Sequence, residues 1–423
     1  MASSLQRFLA CLCVLLAVLS IVLWVFSRRG GNEVAIGNLV LRSQKGVTVP
    51  LRPPLPETLA AARDLDSDLA PVDPMPRNVI VFIGDGMGIG HLSAAAALLE
   101  RAGGDLRMTG APHVALVRTW AANTIATDSA ASATAIATGF KTNMKMVGVL
   151  PDGRVPRSIF EAARERGLGT GVVTTSGLVD ATTACFTAHV DFREKYDEIL
   201  LQMLASETDV LIGGDWTRYK KTRKNQSYMD LIARTEELGA AHGLEVVRDT
   251  AGLQSASPPF AVVYPPREES PEQHGPPLAV SVRRALEVLM AVPEGFVLVV
   301  ESEVTDSSGH ENDIRATLDG VRELDAAVVA ALEITAAGSD TLVLVTADHD
   351  TGSPALVDGF YDEGEVTVRW ASPDHSSQWV PLFAFGPGAE VFDGVIDNTE
   401  IAQRMVWLLG LEPLSHMADL QHD

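Results

Sequence analysis

The sequence predicts an α/β protein with a largely parallel central sheet, helices on both faces and an N-terminal transmembrane helix ahead of it. Three observations predict this. Short apolar runs recur and close on Gly, Ser, Asp or Glu: NVIVFIG, LGTGVVTTSG, DVLIGGD, FVLVVES, DTLVLVTADHD and VPLFAFGPG. Helix-like segments lie between them, at Arg154–Arg166, Ser227–Leu238, Leu278–Leu289 and Ile314–Ile334. Apolar strands alternating with amphipathic helices form parallel sheets covered on both sides. Finally, Phe8–Phe26 (FLACLCVLLAVLSIVLWVF) runs for 19 residues with Ser20 as its only conventional polar side chain. That is long enough to cross a bilayer as a helix.

Taken in chain order, the apolar run follows Arg7 and stops at Arg28 and Arg29, and no small-x-small cleavage site follows it closely. Residues 1–29 therefore read as an uncleaved membrane anchor. The flanking arginines balance and do not orient it. Residues 30–76 contain VPLRPPLPE and LAPVDPMP, a proline density that prevents regular helix and suggests an extended tether. Residues 77–411 form the alternating body, and 412–423 a short tail.

Composition narrows the function. The 423 residues are 46% hydrophobic and 21% charged, enough apolar material for a substantial core. A net charge of −22 argues against general nucleic-acid binding, which needs a basic face. Excess acid can also conceal a metal site whose carboxylates are neutralised by bound cations. Cys11 and Cys13 lie in the anchor and Cys185 stands alone in the body. No disulfide and no cysteine-based zinc site can form there, so any metal falls to Asp, Glu and His.

Ligands of such sheets bind beyond the carboxyl ends of the strands. Asp85, Glu301 and the pair Asp348-His349 stand there, each just after an apolar run. GDGMGIG (Gly84–Gly90) lacks the G-x-G-x-x-G spacing of a dinucleotide loop and reads as a tight turn aiming Asp85. In ESEVTDSSGH, Asp306 and His310 are four residues apart and share one face of a helical turn, as metal ligands often do. The alternative is a loop rich in helix-capping groups. ATDSAASATA surrounds Asp128-Ser129 with small residues; read locally, it is a capped helix start that admits close neighbours. His375 sits just ahead of the last apolar strand. Asp85, Asp306 and Asp348 with His310, His349 and His375 suffice for two four-coordinate zinc ions, each with an open position.

GDGMG, TDSAASATA, DATTACFTAHVDFR, ESEVTDSSGH, TADHDTG and HSSQWVP with FGPGA occur in this order between Asn78 and Leu411. In these motifs the sequence resembles the alkaline phosphatase family. The resemblance implies hydrolysis of small phosphate monoesters through a phosphoserine on Ser129, releasing inorganic phosphate. It implies Ser129 as nucleophile, Asp128 as its positioning neighbour and Arg193 as the group that grips phosphate. One zinc would be held by Asp306, His310 and His375, and the second, touching the serine oxygen, by Asp85, Asp348 and His349. One magnesium would take Asp85 as a bridge with Thr182 and Glu301, and Asp180 would act through its water shell. By analogy with relatives a homodimer is expected. A single-pass protein of the cell membrane, with its body outside the cytoplasm, is the expected location.

The chemistry suits these residue types. A serine hydroxyl is a poor nucleophile near neutral pH, and a zinc ion can take the place of a general base. Two ions about 4 Å apart serve the attacking and leaving oxygens. A guanidinium fork suits the remaining phosphate oxygens where lysine could not be bidentate. A sulfatase would need a modifiable Cys or Ser followed by Pro and Arg, which Ser129-Ala-Ala-Ser lacks. A diesterase commonly has a Thr nucleophile and no phosphate-gripping Arg. A non-catalytic metal- or phosphate-binding relative would have lost the nucleophile or a ligand, and none is missing. Asp180 and Ser307 stand at positions that vary within the family, which leaves the third cation open. Trp216–Pro277 matches no motif; its RYKKTRKNQ patch reads either as a lining for anionic substrates or as a solvated helix surface.

Overall fold

The structure, a computed structural model, describes residues 33–36, 39–42, 72–101, 105–214, 231–264, 275–336, 340–360, 365–414 and 417–419. Phe8–Phe26, most of the 30–76 segment and the RYKKTRKNQ patch lie outside the described residues. Among the described residues no helix is long and apolar enough to cross a membrane. The chain divides into two compact units, residues 1–59 and 60–423. In the first, Glu33–Ile36 and Leu39–Arg42 pair as antiparallel strands. Their β-branched and apolar residues favour pairing over the extended tether expected there, and the first proline comes only at Pro50.

The second unit is built on one sheet. Its described strands are β1 (Asn78–Gly84), β2 (His113–Arg118), β3 (Gly169–Gly177), β4 (Val210–Gly214), β5 (Glu245–Val247), β6 (Phe260–Tyr264), β7 (Phe296–Ser302), β8 (Thr341–Thr346), β9 (Val380–Phe385) and β10 (Gly394–Asp397). They lie in the order β10-β2-β9-β8-β1-β7-β3-β4-β6-β5. Only β9 runs against the others. The central strands β1, β7 and β8 are buried along their whole length, which is why their sequences are apolar without alternation.

Register positions the site. Ile83 of β1 is level with Glu301 of β7 and with Thr346 of β8. Asp85 and Asp348, each two residues further on, therefore leave the sheet at the same edge as Glu301. The reversed direction of β9 brings its beginning to that edge too, since Val380 pairs with Val117 near the end of β2. The chain entering β9 passes there, and His375–Ser376 forms a small antiparallel ladder with Asp350–Thr351 just after β8.

Several elements differ from the sequence reading. The helix expected over Arg154–Arg166 begins only at Ile159, capped by Ser158 and Glu161 in a capping box. Arg154–Pro156 is instead a strand paired with Met417–Asp419. Pro156 has no N–H to donate and pushes Val155 toward extended backbone. The unit also reaches beyond 77–411, since Val72 is buried in its core and Met417–Asp419 joins a ladder. β2, β5, β6 and β10 were not expected. β2 is only half buried and β5 is three residues long, so neither gives a long apolar run.

Candidate active site

The Ser129–Thr138 helix starts where its sequence says it should. Asp128 caps it, accepting from the N–H of Ala131 at 3.1 Å. All ten helical residues are buried, and their small side chains are what that position permits. Ser132 Oγ donates to the carbonyl of Asp348 at 2.6 Å and accepts from Asn398 Nδ2 at 2.9 Å. The helix is thereby fastened to the end of β8. This aims Ser129 Oγ at His349 Nε2, 3.3 Å away.

The glycine turn after β1 brings Asp85 in. The Asp85 N–H donates to the carbonyl of Ser302 at 2.9 Å, tying the turn to the end of β7. Gly86 has φ +69°, and a Cβ there would stand 2.6 Å from Thr351 Oγ1; one on Gly88 would stand 1.9 Å from Asp350 Oδ1. Glycine is needed for the turn to press this closely against the loop after β8.

Two ligand clusters result. Asp306, His310 and His375 form one, and Asp85, Asp348 and His349 the other, with the ligand atoms in each within 4.8 Å of one another. Asp306 and His310 meet as expected across one turn of the Val304–Glu311 helix, Oδ2 to Nε2 at 3.4 Å. Hydrogen bonds fix the tautomers. His310 Nδ1 faces the carbonyl of Pro373 at 2.6 Å and His375 Nδ1 that of Thr127 at 2.9 Å. A carbonyl only accepts, so both rings carry a proton on Nδ1 and turn Nε2 inward, the atom left to bind Asp306 or a cation. Those two nitrogens face each other at 3.1 Å. Thr351 Oγ1 gives its proton to Asp306 Oδ1 at 2.5 Å and lies 3.2 Å from His349 Nδ1. His349 Nδ1 therefore donates, and its Nε2 lone pair points at Asp85 Oδ1 (3.4 Å), Asp348 Oδ2 (3.3 Å) and Ser129 Oγ. Of these, only the serine can donate. Lone pairs converging without donors are what a cation satisfies.

Unpaired buried atoms support the same conclusion. Asp85 Oδ1, Asp348 Oδ2, Glu301 Oε1 and Thr182 Oγ1 have no hydrogen-bond partner. Buried polar atoms without partners are costly, and these four belong to expected ligands. The donor set fits divalent cations. It is oxygen with imidazole, and Cys185 takes no part: it is buried and free, and burial pushes its thiol up to about 12.

The electrostatics agree. Burial, then the charges of Asp348, Asp306, Glu301 and Asp180, raises the Asp85 carboxyl well above its usual range. Burial and Asp306 push Asp348 up to about 7, and burial and Asp180 push Glu301 up to about 8. Burial acts on Asp306 in the same direction, but bonding to His310 and His375 prevails and holds it well below. Asp306 in turn lifts His310 to about 9. Burial and the neighbouring His375 hold His349 far below its ordinary value, so its ring is neutral.

Glu301 Oε2 accepts from Thr174 Oγ1 at 2.5 Å, leaving Oε1 to face inward. Asp180 is fully engaged: Oδ2 accepts from Ser176 Oγ at 2.6 Å, and Oδ1 from the Ala181 N–H at 2.6 Å and Arg193 Nη2 at 2.9 Å. Arg193 Nη1 reaches Asp128 Oδ2 at 3.5 Å, so the guanidinium spans the acids beside Ser129 and Thr182. Ser307 only back-bonds to the Val304 carbonyl at 3.3 Å. The sequence reading missed Thr174, Ser132 and Thr351. Thr174 follows the apolar residues of β3, so the strand-end rule could have found it. Nothing in a lone threonine marks Thr351 as the tie between two ligand clusters.

A parallel sheet with two Asp/His clusters and a buried serine at its carboxyl edge defines a metal-dependent hydrolase centre. The alkaline phosphatase family model matches residues 76–364 and 360–411. The chain belongs to that family of phosphomonoesterases, whose catalysis is metal-dependent. It is 31% identical to the alkaline phosphatase of Escherichia coli (strain K12), covering 84% of this chain and 89% of that one. It is 32% identical to the streptomycin-6-phosphate phosphatase of Streptomyces griseus, covering 79% and 91%. The solved alkaline phosphatase of the Antarctic bacterium TAB5 superposes with a TM-score of 0.68 at 26% identity, covering 80% of this chain and 99% of that one.

Removing divalent ions with a chelator is expected to lower the thermal midpoint by about 10 °C, and zinc with magnesium to restore it. An unchanged midpoint would mean that the two clusters hold no cation.

Proposed function

We propose that the chain hydrolyses phosphate monoesters through a phosphoserine formed on Ser129 Oγ, with two zinc ions and one magnesium per subunit. The observation that carries this reading is the aim of Ser129 Oγ at the lone pair of His349, inside a ring of acid and imidazole ligands. Asp306, His310 and His375 would hold the first zinc; Asp85, Asp348 and His349 the second; Asp85, Thr182 and Glu301 the magnesium. Bound there, the ions supply Lewis-acid charge neutralisation and favour ionisation of the serine hydroxyl without a general base.

The chain's own residues do the rest. Asp128 fixes the first turn of the nucleophile helix and so the position of Oγ. Ser129 is 4% exposed, which keeps bulk water from competing for the ester. Arg193 presents two N–H groups from one planar fork, the shape that binds two oxygens of a phosphate. Its anchors on Asp128 and Asp180 hold it in that orientation. A monoester dianion suits this fork better than a diester, which offers fewer charged oxygens.

Ser129→Ala is expected to lower turnover of p-nitrophenyl phosphate at least about a thousandfold with zinc content retained. Turnover equal to the unaltered protein would remove Ser129 from the mechanism. The unaltered protein should also prefer the monoester to bis(p-nitrophenyl) phosphate, and the reverse preference would favour a diesterase.

The hydrophobic run Phe8–Phe26 supports the further reading that the body is tethered outside the cytoplasm at the cell membrane. Protease added to intact cells or spheroplasts should then release the body by cutting within residues 30–76. Full protection would contradict that topology.

A further inference from the structure

Lys145 has φ +70°, in the left-handed region that suits glycine. A side chain there is strained. The backbone is held in place on both sides. Its N–H donates to both carboxylate oxygens of Asp128, at 3.2 and 3.1 Å, and its carbonyl accepts from the Arg193 N–H at 2.7 Å. Glycine would make the same bonds without strain, so what the lysine adds is its side chain. That side chain is exposed, and Nζ lies 5.5 Å from the centre of the Phe192 ring. Phe192 immediately precedes Arg193 and is itself 37% exposed. A cation over an aromatic face is directed rather than free. The nearest acid in sequence to Phe192, Asp191, pairs with Lys195 at 3.0 Å, and among the described residues Lys145 forms no salt bridge. An ammonium is thus directed over the ring that precedes Arg193, on a backbone bonded to Asp128 and to Arg193, without a salt bridge among the described residues, in a protein of net charge −22.

We propose that Lys145 is a specificity-determining residue that receives a second anionic group on the alcohol portion of the substrate. The site then favours phosphate monoesters carrying a carboxylate or further phosphate over singly anionic ones. The exposed Phe192 ring beside it suits a flat linker between the two charges. This inference rests on the phosphomonoesterase reading.

The test compares kcat/KM for 4-carboxyphenyl phosphate with that for 4-methylphenyl phosphate, using the full protein loaded with zinc and magnesium. The ratio of the two should fall about fivefold in Lys145→Gln, mainly through KM, and persist in Lys145→Arg. Added salt should lower the ratio of the unaltered protein and leave that of Lys145→Gln flat, because screening acts only where the charge is present. A ratio in Lys145→Gln equal to that of the unaltered protein overturns the proposal. So does an equal slowing of both esters, which would make Lys145 a support for the loop and nothing more. If the unaltered protein hydrolyses neither ester, the phosphomonoesterase reading fails as well; an unchanged ratio with both esters turned over overturns the proposal alone and leaves that reading intact.

Discussion

The structure depends on one electrostatic constraint. His349, buried and neutral, points its Nε2 lone pair at the buried carboxyls of Asp85 and Asp348, while the more open His310 and His375 turn their Nε2 atoms toward Asp306. No protein donor other than the Ser129 hydroxyl stands among the atoms facing His349 Nε2. The lone pairs of His349, Asp85 and Asp348 facing one another at 3.3–3.4 Å repel in a low-dielectric interior. Such an arrangement persists in a folded chain when positive charge is supplied from outside. The elevated Asp348 and Glu301 carboxyls express the same need, since each would rather be protonated than charged there.

The fold meets this cost by making the ring of ligands rigid. β1, β7 and β8 deliver Asp85, Glu301 and Asp348 at one edge of the sheet, because their register is fixed by fully buried apolar residues. Thr351 couples the two clusters: its single hydroxyl serves Asp306 on one side and His349 on the other. The Ser129–Thr138 helix is locked at its first turn, by Asp128 at its cap and by the Asn398–Ser132–Asp348 chain of hydrogen bonds. Small residues throughout that helix let these contacts form. Preorganisation of this kind matters for catalysis because the groups need not be rearranged when charge develops on the reacting oxygens.

Much of this was legible in the sequence, for identifiable reasons. Apolar runs ending in acids revealed Asp85, Glu301 and Asp348-His349, since parallel strands put such ends on one edge. The four-residue spacing revealed Asp306 with His310. His375 obeys the opposite rule: it precedes its strand, and only the reversed direction of β9, which no local pattern discloses, carries it to the site. Thr182, Asp180 and Arg193 lie on a four-residue helix and a loop with no periodicity, and family resemblance alone suggested them. Thr351 and Lys145 were invisible. A threonine's partners and a lysine's positive φ are set by tertiary contacts rather than by neighbours in sequence. The expected helix at Arg154 failed for a local reason that the sequence did contain, the proline at position 156.

The proposed chemistry requires two cations bound by these six side chains. Anomalous diffraction at the zinc edge, on crystals of the zinc-loaded protein, measures that directly. Two peaks are expected, one among Asp306, His310 and His375 and the other among Asp85, Asp348, His349 and Ser129 Oγ. A map with no peak in either cluster, or with zinc bound only elsewhere on the surface, would contradict it.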